Sequence, residues 1–338
     1  MAQLNPKLHT KRPSIGLQAL SYYVEGILER QDPYVLAQAI TLLESRHIAH
    51  RQLAYEILLQ CEQRSTIHTM RIGITGSPGV GKSTLINALG SRLLDGNKRM
   101  AVLSVDPSSH VHGGSILGDK TRMSSIAMDE RYFIRPSPSG TYLGGSHAYT
   151  YEAVALCEAG GYDLVIIETV GVGQSEIEIA DLVDYNLLLL QPGSGDRLQG
   201  IKMGVMEIAD LIVVNKADGD YERPAQDLFQ HTRESLHLVG RDDVKVMTSS
   251  SLRPEMLESL CLHMRAQFSY MEDEKAKRRK DQQEKWLAKR MYQHIVEEAS
   301  NAVSAQVDEH LAAVSDRSMS PTQAYLEFVN ALRSVKKV

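Results

Sequence analysis

The sequence predicts an α/β fold in which a doubly wound, mostly parallel sheet is flanked by N-terminal helices and a C-terminal helical extension. Seven short runs are apolar throughout, which is typical of strands that helices cover on both faces. Helical segments separate these runs, and a glycine-rich stretch follows the first of them. The runs cover residues 71–75, 100–105, 132–135, 163–168, 186–190, 211–215 and 244–248.

The residues before the first run predict a helical segment. Apolar side chains recur there at helical spacing, for example at Leu36, Ile40 and Leu43. Asp32 followed by Pro33 is typical of a helix start, because aspartate caps free backbone N–H groups and proline fits the first turn. We therefore expect two or three helices over residues 1–66, ahead of the sheet domain over residues 67–266.

The stretch from Gly76 to Ser83 fits the pattern G-x-x-x-x-G-K-[ST] between a strand and a helix. In such a loop, backbone N–H groups turn inward onto phosphate oxygens, the lysine reaches the terminal phosphates and the serine hydroxyl ligates Mg2+. A glycine turn without function is the alternative, and the flanking elements favour a P-loop NTPase. The residues expected to bind nucleotide are Gly76, Ser77, Pro78, Gly79, Val80, Gly81, Lys82, Ser83 and Thr84, with Lys82 also catalytic.

The tetrapeptide that ends at Asp218 follows the sixth run, where a guanine-recognition motif is expected. Asp218 can accept hydrogen bonds from N1–H and the 2-amino group of guanine, whereas adenine offers no such donor pair. The sequence therefore predicts GTP, with Asn215, Lys216 and Asp218 at the base. A second base-contact loop is expected after the last run, with a plain serine-rich turn as the alternative; its members are Ser250, Ser251 and Leu252.

Three acidic residues near strand ends are candidates for a metal site. Glu168 lies where GTPases usually carry the aspartate of D-x-x-G, and its longer side chain still reaches Mg2+ or a water bound to it. Asp106 ends the second run. Asp119 closes the glycine-rich loop 113–122, where a helix-capping surface aspartate is an equal alternative. The candidate ligands of Mg2+ are therefore Ser83, Asp106, Asp119 and Glu168, and Glu168 is also expected to be catalytic.

Two further features concern catalysis. No glutamine directly follows Gly171, and the nearest is Gln174, so we expect slow intrinsic hydrolysis unless a partner or loop movement supplies the missing group. The loop 193–204 enters a helix, and its Lys202 is a candidate to pair with a carboxylate of a switch segment. An ordinary lysine in the first turn of a helix is the alternative for Lys202.

The C-terminal residues 267–338 predict a helical arm. A charge-dense stretch over 272–280 leads into apolar residues at helical spacing, and Ser320 with Pro321 is typical of the start of a last helix over 322–332. Because acidic and basic residues mix in the stretch, a solvated helix face is favoured over a nucleic-acid patch. The arm has few apolar residues, so we expect it to dock on the main domain or on a second copy of the chain.

The composition bounds the class of protein. The chain has 338 residues, of which 43% are hydrophobic and 23% charged, and a net charge of −5, which favours neither nucleic acid nor an anionic membrane as partner. Its three cysteines are far apart, which argues for a reducing compartment and against structural zinc. We expect a cytoplasmic protein with no secretory signal and no membrane span.

These motifs together resemble the MeaB/ArgK family of GTPases, the G-protein chaperones of adenosylcobalamin-dependent acyl-CoA mutases, formerly described as a lysine/arginine/ornithine transport ATPase. The resemblance covers about residues 30–260. Helical stretches near both ends, LAQAITLLESRH and SPTQAYLEF, are similar too. The segments that carry the resemblance are TGSPGVGKST, VDPSS, GGSILGDKTRM, LGG, AGGYDLVIIETVGVGQSE, SGDRLQGIK and ADLIVVNKADGD.

The resemblance implies a homodimeric, Mg2+-dependent GTPase that gates loading or protection of adenosylcobalamin in methylmalonyl-CoA mutase or a related acyl-CoA mutase. It also implies switch segments at 113–122, 168–176 and 193–202, with Lys202 near the nucleotide and catalytic, and a dimerisation arm at the C-terminus. The sequence departs from the family pattern at His110–His112, at Gln191 and at Arg253, where a glycine-containing turn is usual. The last departure puts the base contacts of residues 250–252 in doubt.

Three other classes of protein compete with this interpretation. An ATPase or kinase linked to amino-acid import conflicts with Asp218, because that side chain selects guanine. A metallochaperone GTPase for nickel enzymes would need grouped cysteine and histidine ligands, which the sequence lacks. A targeting GTPase of the signal-recognition type would need a methionine-rich region and the motif D-T-A-G-R, and neither is present.

Overall fold

The computed structural model describes residues 17–45, 47–64, 68–106, 126, 129–138, 149–169, 178–193 and 203–335. The helices are α1 (Leu20–Leu28), α2 (Pro33–Leu43), α3 (Ile48–Arg64), α4 (Lys82–Leu93), α5 (Thr150–Ala159), α6 (Met203–Glu207), α7 (Glu222–Leu238), α8 (Pro254–Tyr270), α9 (Glu272–Ser315) and α10 (Pro321–Val335). None of the helices in these ranges offers an uncharged apolar stretch that could traverse a bilayer.

The seven strands form one parallel sheet in the order β3-β2-β4-β1-β5-β6-β7. The prediction of a doubly wound α/β fold is confirmed, and each predicted run contributes one strand. The connection after β1 runs to β2 on one side of the sheet, whereas the connection after the neighbouring β4 runs to β5 on the other side. Ligands bind at such a switch point in open α/β sheets. The strands are β1 (Met70–Gly76), β2 (Met100–Asp106), β3 (Tyr132–Pro138), β4 (Leu164–Thr169), β5 (Tyr185–Leu190), β6 (Leu211–Val214) and β7 (Lys245–Thr248).

Helices cover both faces of the sheet, which explains why the strands are mostly apolar. Alternate residues of one strand point to opposite faces, so they enter different cores. Leu187 and Val213 pack in a core with residues of α4 and α8. Leu188 and Ile212 pack in a second core with residues of α6 and α7.

The N-terminal helices belong to the same compact unit as the sheet. Asp32 caps α2 as predicted, accepting hydrogen bonds from the N–H groups of Tyr34 and Val35 at 2.8 and 3.4 Å. Arg135 of β3 reaches α2, donating to the carbonyl oxygen of Ala37 at 3.1 Å. The division into segments 1–66, 67–266 and 267–338 stays a prediction.

A buried ion pair joins β1 to α5. Arg71 donates to both carboxylate oxygens of Glu158 at 2.8 Å, and their side chains are 5% and 1% exposed. Burial lowers the pKa of the Arg71 guanidinium, but the hydrogen bonds and charge of Glu158 raise that pKa above its ordinary value. The guanidinium therefore stays charged, and its two hydrogen bonds to Glu158 fix α5 to the sheet.

The second compact unit contains α9 and α10. Ser320 caps α10 as predicted, because its hydroxyl accepts from the N–H of Gln323 at 3.2 Å. His310 of α9 lies 3.1 Å from the carboxylate of Glu327 on α10, which ties the two helices together. Several apolar side chains of this unit are exposed: Leu287, Met291, Tyr292, Ile295, Leu311, Tyr325 and Leu326.

Candidate nucleotide-binding site

The predicted nucleotide-binding residues gather at the carboxyl ends of the parallel strands. Gly76 is the last residue of β1, and Lys82 is the first residue of α4, so the residues between them form a strand-to-helix loop. Glu168 lies near the end of the neighbouring β4, and Asn215 directly follows β6. The phosphate loop, Glu168 and the predicted guanine-recognition motif, residues 215–218 and hereafter the base motif, therefore share one edge of the sheet.

Glycine is required in the phosphate loop by backbone conformation and by space. Gly79 and Gly81 have φ of +79° and +101°, which side-chain-bearing residues rarely adopt. A Cβ atom on Gly81 would also lie 2.7 Å from the amide nitrogen of Asn215. The close approach lets Asn215 donate to the carbonyl oxygen of Val80 at 2.9 Å, so the base motif supports the phosphate loop directly.

Lys82 is held over the loop. Its ammonium group donates to the carbonyl oxygens of Gly76 at 2.6 Å and Ser77 at 3.1 Å, and the residue is 7% exposed. These contacts keep a buried positive charge at the mouth of the loop. A polyphosphate bound there would meet both this charge and the N-terminus of α4, where free backbone N–H groups favour anions.

Ser83 and Glu168, two of the predicted metal ligands, lie in contact with each other. The Ser83 hydroxyl donates to Oε1 of Glu168 at 2.8 Å, and Ser104 of β2 donates to Oε2 of the same carboxylate at 3.3 Å. Glu168 is 7% exposed. The donors are hard oxygen atoms, one of them anionic, and this set fits Mg2+.

Several predicted site residues lie outside the described part of the chain. Asp106 is the last residue of β2, but its side chain lies outside the described part of the chain. Asp119 and Lys202 lie outside it entirely, as do the loop 113–122 and most of the segments 168–176 and 193–202. Of the four predicted metal ligands, the structure therefore describes the side chains of Ser83 and Glu168.

The base motif makes hydrogen bonds with both the phosphate loop and the end of β5. Lys216 has φ of +59°, and its ammonium group donates to the carbonyl oxygen of Gly79 and to Oε1 of Gln191, each at 2.7 Å. Asn215 is 2% exposed, and its backbone N–H donates to the carbonyl oxygen of Leu190 at 2.7 Å. Lys216 thus spans the base motif, the phosphate loop and the end of β5.

Asp218 is oriented by the loop after β7. The Ser250 hydroxyl donates to Oδ2 of Asp218, and the N–H of Leu252 donates to the Ser250 hydroxyl at 3.0 Å. The backbones join too, because the N–H of Ala217 donates to the carbonyl oxygen of Ser249 at 3.0 Å. Among the described residues, none donates a hydrogen bond to Oδ1 of Asp218, and Ser251 makes no hydrogen bond with this carboxylate.

Sequence reasoning missed three residues that support the site. Ser104 faces Glu168 because the two are paired in the register of β2 and β4. Gln191 was singled out as a departure from the family pattern, without a role. Arg253 forms a bidentate ion pair with Glu222, with Nη1–Oε1 and Nη2–Oε2 distances of 3.2 and 3.0 Å. A correct strand register would have revealed Ser104, but the sequence holds no signal for the other two contacts.

Comparison with protein families gives a match over most of the chain. The model described as "Methylmalonyl Co-A mutase-associated GTPase MeaB" matches residues 36–304. The GTPase ArgK of Escherichia coli is 48% identical over 238 residues, which are 69% of this chain and 71% of that protein. The mitochondrial methylmalonic aciduria type A homolog of Mus musculus is 45% identical over 254 residues, which are 68% of this chain and 61% of that protein.

A solved structure agrees with these matches. The crystal structure of a LAO/AO transport system kinase superposes with a TM-score of 0.70 at 32% identity. The alignment covers 94% of this chain and all of that one. The similarity therefore extends beyond the nucleotide-binding sheet.

Proposed function

Because the chain belongs to the family of methylmalonyl-CoA mutase-associated GTPases, we propose that it hydrolyses GTP to gate the loading or protection of adenosylcobalamin in an acyl-CoA mutase. The family match confirms the predicted family and a P-loop fold that binds guanine nucleotides. The identity of the partner, the metal and the dimer are the finer parts of the proposal. Methylmalonyl-CoA mutase is the partner that the family name favours.

The observation that carries the choice of nucleotide is the orientation of Asp218. Ser250 occupies Oδ2 of its carboxylate, which leaves acceptor capacity for the N1–H and 2-amino donors of guanine. Adenine presents an acceptor at N1 and would leave the carboxylate without donors, at a substantial cost in binding. This geometry supports GTP over ATP.

On the phosphate side, the chain's residues position and neutralise the γ-phosphate. Loop amides and the N-terminus of α4 would bind phosphate oxygens, and Lys82 would exchange its carbonyl contacts for the terminal phosphates. Ser83 and Glu168 would hold Mg2+, with Asp106 and Asp119 as further candidate ligands. When bound, Mg2+ supplies positive charge that stabilises the charge developing on the phosphate oxygens.

Water attack is expected to be slow in the isolated chain. Glu168 accepts two hydrogen bonds from serines, which supports a role in holding the metal over a role in activating water. We propose that a partner or a movement of the 193–202 segment, which carries Lys202, completes the catalytic group. GTP and GDP would then stabilise different switch conformations that the mutase distinguishes at its surface.

The assembly and location follow from the arm and the cysteines. We propose a homodimer formed through α9 and α10, because this unit exposes apolar side chains that include Leu287, Met291 and Ile295. The three cysteines are buried and free, which supports a reducing compartment such as the cytoplasm. No contact with nucleic acid or membrane is part of the proposal.

Affinity capture of the untagged cellular partner tests the chaperone role. The chain, immobilised in GDP-bound and GTP-analogue-bound states, should retain an acyl-CoA mutase or a cobalamin adenosyltransferase. If neither copurifies in any nucleotide state, the chaperone role is wrong while GTP hydrolysis stands. The rival role, an ATPase linked to lysine, arginine and ornithine transport, predicts that ATP outcompetes GTP in a binding assay.

A further inference from the structure

The guanine site is built from two segments that belong to different strands. Asp218 lies four residues after the end of β6, and Ser250 lies two residues after the end of β7. Two inner contacts join the segments, namely the Ser250–Asp218 hydrogen bond and the backbone bond from Ala217 to Ser249. Any loosening between the segments would therefore move one side of the base site against the other.

The outer part of the second segment has little apolar support. Leu252 is 79% exposed, so its side chain does not anchor the loop in either core. The backbone N–H of Arg253 donates to the carbonyl oxygen of Ser250 at 3.2 Å, which closes a tight turn. Arg253 then precedes α8 as its N-cap without capping it through the side chain. The guanidinium is free to serve another purpose.

That purpose is a link to the first segment. Nη1 and Nη2 of Arg253 donate to Oε1 and Oε2 of Glu222 at 3.2 and 3.0 Å, a parallel pair of charge-assisted hydrogen bonds. Glu222 begins α7 and directly follows the short 3-10 turn Gly219–Tyr221 after Asp218. The ion pair therefore links the two segments a second time. Arg253 lies three residues after Ser250, and Glu222 lies four residues after Asp218.

We propose that the Arg253–Glu222 pair is a clamp that positions the guanine-binding segments and slows release of the nucleotide. The inference rests on the proposed binding of guanine nucleotides. The pair acts through Ser250 and Asp218, so both members are positioning residues. Their side chains are 37% and 62% exposed, so salt screens the pair and its effect on release is modest, about two- to fivefold.

The test measures dissociation of a fluorescent GDP analogue from the full chain by stopped flow. Arg253→Ala and Glu222→Ala should each accelerate release about two- to fivefold at low salt, and the double variant should release no faster than either single one. The charge swap, Glu222→Arg with Arg253→Glu, should restore release to within about twofold of wild type. At about 1 M salt the single variants and wild type should converge.

Two readouts separate the clamp from a general structural effect. Arg223→Ala removes an exposed arginine from the next position on α7 and should leave release unchanged. The variants Arg253→Ala and Glu222→Ala should also keep the wild-type kcat for GTP hydrolysis, because the pair lies at the base and not at the phosphates. Equal release rates for Arg253→Ala and Arg223→Ala, additive single effects, or a swap as fast as the single variants would each overturn the clamp. Failure of the wild-type chain to bind the GDP analogue would overturn the clamp together with the proposed function.

Discussion

Asp218→Asn should convert the preference of this chain from guanine to xanthine nucleotides. The variant amide oxygen can still accept the Ser250 hydroxyl, so the side chain should keep its orientation. The amide nitrogen then faces the base as a donor. It opposes the N1–H and 2-amino donors of guanine, whereas the 2-oxo group of xanthine accepts from it.

The size of the loss follows from the bonds that the carboxylate would make. Hydrogen bonds to a charged group contribute about 1.5–3 kcal/mol each. Two such bonds at the lower value amount to about 3 kcal/mol, which corresponds to roughly a 100-fold loss of GDP affinity. Because Ser250 still holds the side chain, we expect the fold and the phosphate loop to be unaffected.

Competition against a fluorescent GDP analogue measures the affinities for GDP, xanthosine diphosphate and ADP in parallel. Asp220→Asn is the matched control, because Asp220 is exposed and lies two residues away. It should leave all three affinities within about twofold of wild type. An unchanged affinity of Asp218→Asn for GDP would refute the role of Asp218 in reading the base.

Three further predictions concern the metal, the fold and the thiols. Glu168→Gln can accept one serine hydroxyl at its amide oxygen and donate to the other hydroxyl from its amide nitrogen, but it removes the negative charge. Mg2+-dependent kcat should therefore fall at least about tenfold, while GDP affinity in a chelator, measured by fluorescence, stays unchanged; a wild-type kcat would exclude the metal role. Glu158→Ala leaves the Arg71 charge buried and unpaired and should lower the free energy of unfolding in urea by about 3–5 kcal/mol, whereas Glu29→Ala, which breaks an exposed pair, should change it by less than about 1 kcal/mol. A thiol reagent at pH 8 should label the cysteines only after unfolding, because burial raises their pKa, and labelling of the folded chain would contradict this. Burial raises the pKa from an ordinary value of 9.0 to about 11 for Cys61 and Cys261, and it also raises the pKa of Cys157. Because the thiols ionise first in the unfolded chain, the stability that is present below about pH 9 should be lost as the pH rises toward 11.

Local patterns predicted the fold because burial on both faces leaves a direct mark on the sequence. Each strand of the sheet contains a short, mostly apolar stretch, and the phosphate loop that follows the first of these stretches locates β1. Asp32 and Ser320 were found as helix caps for the same reason, since a cap depends on only three or four consecutive residues.

The candidate site was predictable where its chemistry is local and not where it depends on distant pairing. Residues 76–83 and Asp218 are set by short motifs that follow strands. The contact of Ser104 with Glu168 depends on the register between β2 and β4, which no short motif contains. The Arg253–Glu222 pair depends on how two loops meet, and a charged residue in a loop carries no mark of its partner. Arg253 appeared in the sequence only as a departure from the family pattern.

Binding of the purified chain to the acyl-CoA mutase of the same organism, measured by calorimetry in the GDP and GTP-analogue states, is the most direct test of a nucleotide-gated chaperone. A gate requires that the two nucleotide states have different affinities for the mutase, because a ligand shifts an equilibrium only by its differential affinity. We predict binding with affinities that differ at least about fivefold between the two states. Equal affinities in the two states, or no binding in either, would contradict the proposed function.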